Sequence, residues 1–350
     1  MKIAVIVPSL AQAGPVRVAW ELCREFLLKG HECDVFYFDT NDCPLEFGCH
    51  TYRIGWFTRV DWRKYDVVHV HCLRPALYAG IRLRNHKCTV ATLHQPITAE
   101  AFRIGGHNKV ASRLLAAVSK AVYNRFSCNV VLSDEQKRLA AGIIRTPVEV
   151  INNGRSILVK TPKDKKSADD ISKMADRYRI IGTASVINKG KGLHQIVKAL
   201  PYLPDCAFVC IGDGPELSNL KALALQLGVS ERCLWLGYKS DSVNYYPYFD
   251  VFVMCTYSEG YPLALIEAAA NGCAAVLSDI AILKRIMPES CACFYETDNI
   301  RSLAAKVNEA LARRDELSAN IYRHYKAFLT AETMAQSYIG LFGQFVNSSK

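Results

Sequence analysis

Short, continuous apolar runs alternate with longer segments of helical periodicity along most of the chain. Residues 3–7 are apolar at every position, as expected of a strand that is buried on both faces of a sheet. Residues 16–28 then place apolar side chains at helical spacing, and Gly30 ends that pattern. Alternation of this kind predicts an α/β protein in which helices cover parallel sheets.

The same pattern predicts individual elements in both halves of the chain. In the first half, further strands are predicted at residues 34–38, 67–70 and 88–93. In the second half, strands are predicted at 180–184, 207–211, 233–236, 251–254 and 274–277. Helices are predicted between and after them at 191–200, 215–227, 262–271 and 299–313. Each half therefore reads as a doubly wound sheet.

The chain is long enough for two such domains, since it has 350 residues. A charged segment without apolar periodicity begins at Lys160, and we interpret it as part of a linker. The predicted division is a first domain at 1–157, a linker at 158–177 and a second domain at 178–317. Residues 318–350 are predicted to form a long helix that packs back toward the first domain.

Composition narrows the class of protein. Half of the residues are apolar and 22% are charged, which is ordinary globular usage. No apolar run is long enough to span a membrane, and the opening run reads as a strand rather than a signal peptide. The 14 cysteines lack the spacing of zinc ligands, and we interpret them as small buried residues in a reducing cytosol.

Positive charge is concentrated in the first half. Residues 1–160 carry 22 Lys and Arg against 13 Asp and Glu, whereas residues 161–350 carry 21 against 20. A basic first half favours an anionic partner. Nucleic acid, an anionic membrane surface and a phosphorylated substrate all fit this charge.

The most informative motif is SEGYPLALIEA at residues 258–268. It follows a predicted strand and opens a predicted helix at Pro262, a residue suited to the first helical turn. Free amides and the positive end of the helix dipole make such a terminus a phosphate site. Glu259 and Glu267 flank it, and carboxylates accept hydrogen bonds from hydroxyl groups. A nucleotide diphosphate sugar has the matching order of sugar, diphosphate and ribose.

Two glutamates eight residues apart around Gly-aromatic-Pro-Leu resemble the hallmark of retaining glycosyltransferases of family 4, which have the GT-B fold. The segments GTASVINKGKGLHQIVKAL at 182–200, IGDGPE at 211–216 and LGY at 236–238 resemble other elements of that family. The resemblance is almost continuous over residues 180–313 and looser in the first half. It implies two Rossmann-like domains that face each other across a cleft.

The resemblance also implies roles for individual residues. Glu259 would bind the hydroxyls of the donor sugar, Glu267 the ribose, and Lys191 the diphosphate, with Lys189 an alternative for the last role. His94 would lie near the reacting sugar, so that the implied catalytic residues are Glu259, His94 and Lys191. The other implied donor-binding positions are Gly14, Val186, Tyr238, Gly260, Tyr261, Pro262 and Leu263.

One position departs from the family pattern, and one pair of histidines lies outside the family motifs. Where the family commonly has Gly-Arg before the lysine, this chain has Ser185 and Val186. One phosphate-binding cation is therefore missing, unless Arg155 or Lys189 replaces it. His69 and His71 alternate on one predicted strand, and we interpret one or both as structural.

Residues 101–133 contain basic side chains and no acid. The basic residues are Arg103, Lys109, Arg113, Lys120 and Arg125. Apolar residues recur among them at helical spacing, which predicts a basic amphipathic helix for an acceptor or an anionic membrane surface. A core-packed helix with a solvated basic face fits the pattern equally well. Nucleic acid fits less well, because the aromatic residues do not alternate with the basic ones as base stacking would require.

Together these observations predict a retaining, metal-independent hexosyltransferase without a cofactor. It is expected to move a sugar from a nucleotide diphosphate sugar, with UDP the expected nucleotide, to a surface glycan or lipid-linked acceptor such as lipopolysaccharide or capsule. The expected location is the cytoplasm, with peripheral contact at the inner face of the cell membrane. A GT-B nucleotide-sugar epimerase and an inert glycan- or nucleotide-binding subunit remain alternatives.

Overall fold

The structure, a computed structural model, describes residues 1–83, 86–104 and 108–347. The chain divides into two compact units. The first unit comprises Met1–Ser156 and Leu329–Lys350, and the second comprises Ile157–Phe328.

The first unit contains a seven-stranded parallel sheet in the order β3-β2-β1-β4-β5-β6-β7 among the described residues. Its strands are β1 (Lys2–Ser9), β2 (Glu32–Asp39), β3 (His50–Arg53), β4 (Val67–His71), β5 (Thr89–Leu93), β6 (Cys128–Val131) and β7 (Val148–Val150). The helices that follow them are α1 (Gly14–Leu28), α2 (Leu73–Arg82), α3 (Ala99–Ile104), α4 (Lys109–Tyr123) and α5 (Asp134–Ala140). The order of the strands reverses between β1 and β4, where ligands of open α/β sheets bind beyond the carboxyl ends.

The second unit repeats this architecture with a six-stranded parallel sheet in the order β10-β9-β8-β11-β12-β13. Its strands are β8 (Arg179–Ala184), β9 (Cys206–Ile211), β10 (Cys233–Trp235), β11 (Val251–Met254), β12 (Ala275–Ser278) and β13 (Ala292–Tyr295). Its helices are α6 (Lys165–Ala175), α7 (His194–Ala199), α8 (Leu217–Gln226), α9 (Leu263–Ala270), α10 (Ala281–Ile286), α11 (Ile300–Ala312) and α12 (Arg314–Phe328). Here the strand order reverses between β8 and β11.

The predicted α/β class with two doubly wound sheets is confirmed. Four strands were not predicted, namely β3, β6, β7 and β13, and each has only three or four residues. Strand β3 is exposed at every position, so its sequence shows no apolar run. Strands β6 and β7 each contain a polar residue, Asn129 and Glu149, which interrupts the apolar run.

The segment interpreted as a linker is instead helical over Lys165–Ala175, so that interpretation of its structure was wrong. The Asp164 side chain caps the helix by accepting a hydrogen bond from the Ser167 amide, at 3.1 Å. The buried residues of the helix are Ser167, Ala168 and Ile171, of which two are apolar. Two apolar positions among charged neighbours did not form a recognisable period.

The C-terminal segment forms two helices rather than the single long helix predicted from residue 318. Helix α12 ends at Phe328, and the final helix α13 spans Ala331–Asn347 in the first unit. Thr330 starts α13, because its hydroxyl oxygen accepts a hydrogen bond from the Thr333 amide at 3.1 Å. Helix α13 packs against α1, with the rings of Phe26 and Phe342 centred 5.8 Å apart.

Eleven of the fourteen cysteines are buried, and all fourteen are free thiols that lie in the described part of the chain. Their predicted role as small core residues is confirmed for these eleven, whereas Cys43 is exposed. Among the described residues, no helix combines the length and the apolar character that crossing a membrane requires.

Candidate active site

The loops after β8 and β11 carry the predicted donor-binding residues of the second unit. These two strands are neighbours at the point where the strand order reverses. The loop after β8 contains a short 3-10 turn, Lys189–Lys191, and the loop after β11 leads through Glu259 into α9. Ligands of such sheets bind at this crevice, so the topology brings Lys191 and Glu259 to the expected place.

Hydrogen bonds join the two loops along their length. The carbonyl oxygen of Gly190 accepts from the Tyr257 amide at 2.9 Å and from the Thr256 hydroxyl at 3.1 Å. The side-chain amide of Gln195 donates to the Cys255 carbonyl at 3.1 Å. These bonds connect the loop that carries Lys191 to the loop that carries Glu259.

Gln195 is a residue that supports these loops and that the sequence analysis missed. It is fully buried, and its side-chain oxygen accepts hydrogen bonds from the Tyr295 hydroxyl and the Asp298 amide, each at 2.9 Å. Together with its bond to Cys255, these contacts tie the ends of β11 and β13 to the start of α7. The sequence did offer one signal for Gln195, since it is a polar residue inside the apolar stripe of the helix predicted at 191–200.

Lys191 and Glu259 form an ion pair in which Nζ lies 2.5 Å from Oε1. The two side chains retain 28% and 10% of their exposure, so both are partly shielded from water. Lys189, the alternative for the diphosphate role, is exposed. The structure thus brings Lys191, rather than Lys189, to the glutamate of the motif.

Helix α9 begins at Leu263, one residue later than predicted, and Pro262 is its N-cap. The amides of Leu263 and Ala264 lie in the first turn, where an α-helix supplies no acceptor. Tyr261 and Pro262 are buried, and Gly260 is partly buried. The start of α9 therefore offers two amide donors and a positive dipole end.

Glu267 is only 8% exposed, on the inward side of α9. Its Oε2 accepts a hydrogen bond from the Tyr246 hydroxyl at 3.0 Å, and Tyr246 is itself fully buried in the 3-10 turn Ser242–Tyr248. Glu267 is therefore not a solvated residue on the surface of the helix. Tyr246 fixes the direction of this carboxylate, a role that the spacing of the motif did not reveal.

Two further predicted donor positions lie after strands of the second sheet. Val186 follows β8 and is 61% exposed, and Tyr238 follows β10 and is 68% exposed. Both side chains are open to a ligand.

Arg155 is committed to an internal ion pair and does not replace the missing arginine in the second unit. Its Nε lies 3.4 Å from Oε1 of Glu21, and both residues are buried within the first unit. Burial raises the pKa of Glu21, and the attraction of Arg155 opposes that shift. An arginine held in this way is unavailable to a diphosphate.

The predicted residues of the first unit also lie near a strand reversal. Gly14 is exposed at the start of α1, after β1, and His94 is partly buried directly after β5. Nε2 of His94 lies 2.9 Å from Nδ1 of His71, the last residue of β4. Burial lowers the pKa of His94 to about 4, so this imidazole is neutral at pH 7.

The basic segment contains two helices, α3 and α4, which pack against each other, and residues 105–107 of it lie outside the described residues. The predicted basic residues Arg103, Lys109, Arg113, Lys120 and Arg125 are all exposed. Arg125 lies beyond α4 and donates to the Gly80 carbonyl at 3.1 Å.

The exposed face of α4 is not purely polar. Val110 is 78% exposed and Leu114 is 64% exposed, next in sequence to Lys109 and Arg113. The buried face consists of Ser112, Ser119, Val122 and Tyr123. The predicted apolar stripe is therefore divided, with Val122 in the core and Val110 and Leu114 at the surface.

Comparison with protein families agrees with this arrangement. The family model "Glycosyltransferase Family 4" matches residues 13–157, and "Glycosyl transferases group 1" matches residues 164–327. The chain belongs to glycosyltransferase family 4.

This family 4 glycosyltransferase has relatives that act in the synthesis of surface glycans. The O-antigen biosynthesis glycosyltransferase WclY of Escherichia coli is 22% identical over 97% of both chains. An Escherichia coli UDP-Gal:alpha-D-GlcNAc-diphosphoundecaprenol alpha-1,3-galactosyltransferase is 26% identical over 62% of this chain and 58% of its own length.

The fold of this glycosyltransferase is GT-B, as predicted. The structure of Anabaena HepE in complex with UDP and glucose superposes with a TM-score of 0.80 over 98% of this chain and 100% of HepE, at 15% identity. Within the described residues, no group of three His, Cys, Asp or Glu side chains has an arrangement that could hold a metal ion.

Proposed function

We propose that this glycosyltransferase moves a sugar, with retention of anomeric configuration, from a UDP-sugar to a lipid-linked acceptor in lipopolysaccharide or O-antigen biosynthesis. The observation that carries the donor half is the Lys191–Glu259 pair, which stands where the second sheet reverses its strand order. The relatives support the rest, since WclY is an O-antigen enzyme and the galactosyltransferase is named for UDP-Gal and a diphosphoundecaprenol acceptor.

The ion pair serves as a preformed receptor for a donor that carries both an anion and hydroxyl groups. The pair separates when the donor binds, because the diphosphate replaces the carboxylate beside Lys191 and the sugar hydroxyls replace the ammonium beside Glu259. Lys191 then turns to the diphosphate, and Glu259 is released to accept hydrogen bonds from the donor sugar. The amides of Leu263 and Ala264 add donors and a positive dipole end for the same anion.

Glu267 is assigned to the ribose hydroxyls. The hydrogen bond from Tyr246 holds one carboxylate oxygen in place before the ligand arrives. A carboxylate that is already oriented loses less freedom when the ribose binds, which favours affinity for the nucleotide.

Departure of the nucleoside diphosphate leaves negative charge on its phosphates. Lys191 and the start of α9 stabilise that charge directly, and we propose that catalysis needs no metal ion for this reason. His94 is assigned to the reacting sugar on the basis of the family resemblance. Retention is proposed to proceed by displacement on the face that the diphosphate leaves.

The acceptor is proposed to reach the protein at a membrane surface. The exposed face of α4 combines Lys109, Arg113 and Lys120 with Val110 and Leu114. Basic side chains attract anionic headgroups, and neighbouring apolar side chains enter the acyl boundary, as in interfacial helices. This proposal places the protein at the inner face of the cell membrane.

Donor identity is tested by thermal shift with UDP-, GDP- and ADP-sugars, since a ligand raises the melting temperature as its concentration exceeds its dissociation constant. A UDP-sugar is expected to give the largest shift. Transfer to a GlcNAc-diphosphate lipid, followed by NMR of the product, is expected to give the α anomer from an α-linked donor, unchanged by EDTA. Isomerisation of the donor alone would instead identify an epimerase.

The roles of the two glutamates are separated by isosteric substitutions. Glu259→Gln is expected to lower kcat by at least about 100-fold, the usual cost of one electrostatic contact in the transition state. Glu267→Gln is expected to weaken donor binding in calorimetry with a smaller effect on kcat. Glu289→Gln, an exposed carboxylate of the same unit, is the control. Wild-type turnover by Glu259→Gln at unchanged donor affinity contradicts the assignment.

A further inference from the structure

Three histidines and two hydroxyl groups form a buried polar cluster in the first unit. Nε2 of His69 lies 2.7 Å from the Thr92 hydroxyl, which lies 2.8 Å from the hydroxyl of Tyr338 on α13. The rings of His69 and His71 are centred 4.3 Å apart. The cluster ends at His94, the member assigned to the reacting sugar.

The bond between His71 and His94 is well formed and directional. Nδ1 of His71 lies 2.9 Å from Nε2 of His94, and the two ring planes differ by 25°. The lone pair of one ring nitrogen therefore faces the N–H of the other. His71 is fully buried, and its second nitrogen, Nε2, has no hydrogen-bond partner among the residues that the structure describes.

Only one proton occupies the contact between the two rings. Burial lowers the pKa of His94 to about 4 and that of His71 well below its ordinary value, so both rings are neutral at pH 7. A neutral imidazole has one N–H and one bare nitrogen. Either His71 donates from Nδ1, or His94 donates from Nε2.

The unpartnered nitrogen of His71 decides between these arrangements. If His94 donated, the proton of His71 would sit on Nε2 as a buried N–H with no acceptor. If His71 donates, its Nε2 is a bare acceptor, and buried acceptors without partners are tolerated better than buried donors. The arrangement in which His71 donates is therefore favoured. Nε2 of His94 is then the acceptor, so the proton of His94 lies on Nδ1.

We propose that His71 is a positioning residue that donates from Nδ1 to His94, so that His94 presents a hydrogen-bond donor, and not a base, to the reacting sugar or the acceptor hydroxyl. The part of this inference that concerns the sugar rests on the proposed function. The tautomer itself does not, because it follows from contacts within the first unit.

The tautomer is tested by long-range 1H–15N NMR of protein labelled at histidine nitrogen, with the His94 signal assigned from His94→Asn. Wild type is expected to show the proton on Nδ1. His71→Leu removes the donor, and the single Nδ1–H pattern of His94 is expected to be lost. In His71→Asn the side-chain amide supplies an N–H donor close to the position of Nδ1 of His71. The Nδ1–H pattern of His94 is expected to return in this variant.

Kinetic measurements distinguish whether His71 positions His94 or only stabilises the fold. His71→Leu is expected to lower kcat on the order of 10- to 100-fold while the KM for the donor stays within about twofold, and His71→Asn is expected to recover most of the loss. His69→Leu is the matched control, since His69 is equally buried on β4 but bonds Thr92 rather than His94.

The proposal fails if wild-type His94 carries its proton on Nε2, or if His71→Leu retains both the tautomer and kcat. It also fails if His69→Leu lowers kcat as much as His71→Leu does. An Nδ1 proton on His94 in a protein that transfers no sugar would leave the tautomer established and overturn the proposed function instead.

Discussion

His69, His71 and His94 are imidazoles that the first unit keeps neutral. Burial lowers the pKa of His69 to about 3 and that of His94 to about 4, from an ordinary value of 6.5. Below pH 6.5 the unfolded chain takes up protons that the folded chain does not bind. Their contribution to stability is therefore present above pH 6.5 and is lost as the pH falls toward these folded-state values.

We predict that the free energy of unfolding decreases between pH 7 and pH 5, by up to about 1.4 kcal/mol per pH unit for each such histidine. Urea unfolding followed by tryptophan fluorescence measures it, since three of the four tryptophans, Trp20, Trp56 and Trp62, lie in the first unit. His69→Leu should flatten this dependence. An unchanged slope in that variant would contradict the explanation.

Among the elements, the turn between β8 and α7 depends on Gly192. This residue has φ of +61°, and a Cβ placed on it would lie 2.2 Å from the Cys255 carbonyl oxygen and 2.6 Å from Nε2 of Gln195. Only glycine at this position allows the 3-10 turn Lys189–Lys191 to approach the loop after β11 this closely.

Gly192→Ala is predicted to destabilise the second unit and to weaken donor binding, because the loop that carries Glu259 must shift. Gly228→Ala is the matched control, since Gly228 has φ of +67° but no atom of the described residues within 4 Å of its Cβ position. The control should lose only about 1–2 kcal/mol of stability from the backbone strain. Urea unfolding and calorimetry with the donor measure both effects. Equal donor affinity in the two variants would show that the close approach of Gly192 to the Cys255 carbonyl does not affect donor binding.

At the scale of the whole molecule, the excess of basic residues in the first half coincides with the exposed face of α4. The double variant Arg113→Glu with Lys120→Glu is predicted to lower binding to vesicles containing anionic phospholipid by more than about tenfold, because each basic residue near such a surface contributes about 1 kcal/mol. Sedimentation with vesicles at low salt measures this, and high salt should weaken wild-type binding.

A second double variant is the control, because it changes the net charge by the same amount at a different surface. Arg323→Glu with Lys326→Glu reverses two exposed charges on α12, in the second unit. It should bind vesicles nearly as wild type does. An equal loss in both double variants would show that net charge, rather than the face of α4, controls the binding.

The sequence by itself determined the α/β class, most strands of both sheets and the pair of glutamates in the second half. These features depend on residues that are close in the chain, because strand and helix periods, glycine stops and the spacing of Glu259 and Glu267 are local properties. Strands β3, β6 and β7 escaped prediction because polar residues interrupt them, and α6 escaped because only two of its buried residues are apolar.

Tertiary structure alone decided which partner each polar side chain has. Gln195 bonds Cys255, 60 residues away, and Asp298, 103 residues away, while Arg155 meets Glu21 across 134 positions. Hydrophobic patterning fixes which face of an element is buried, but the partner of a polar group on that face depends on what the fold brings beside it. For this reason the direction of Glu267, the commitment of Arg155 and the bond between His71 and His94 arise only when distant strands and helices pack together.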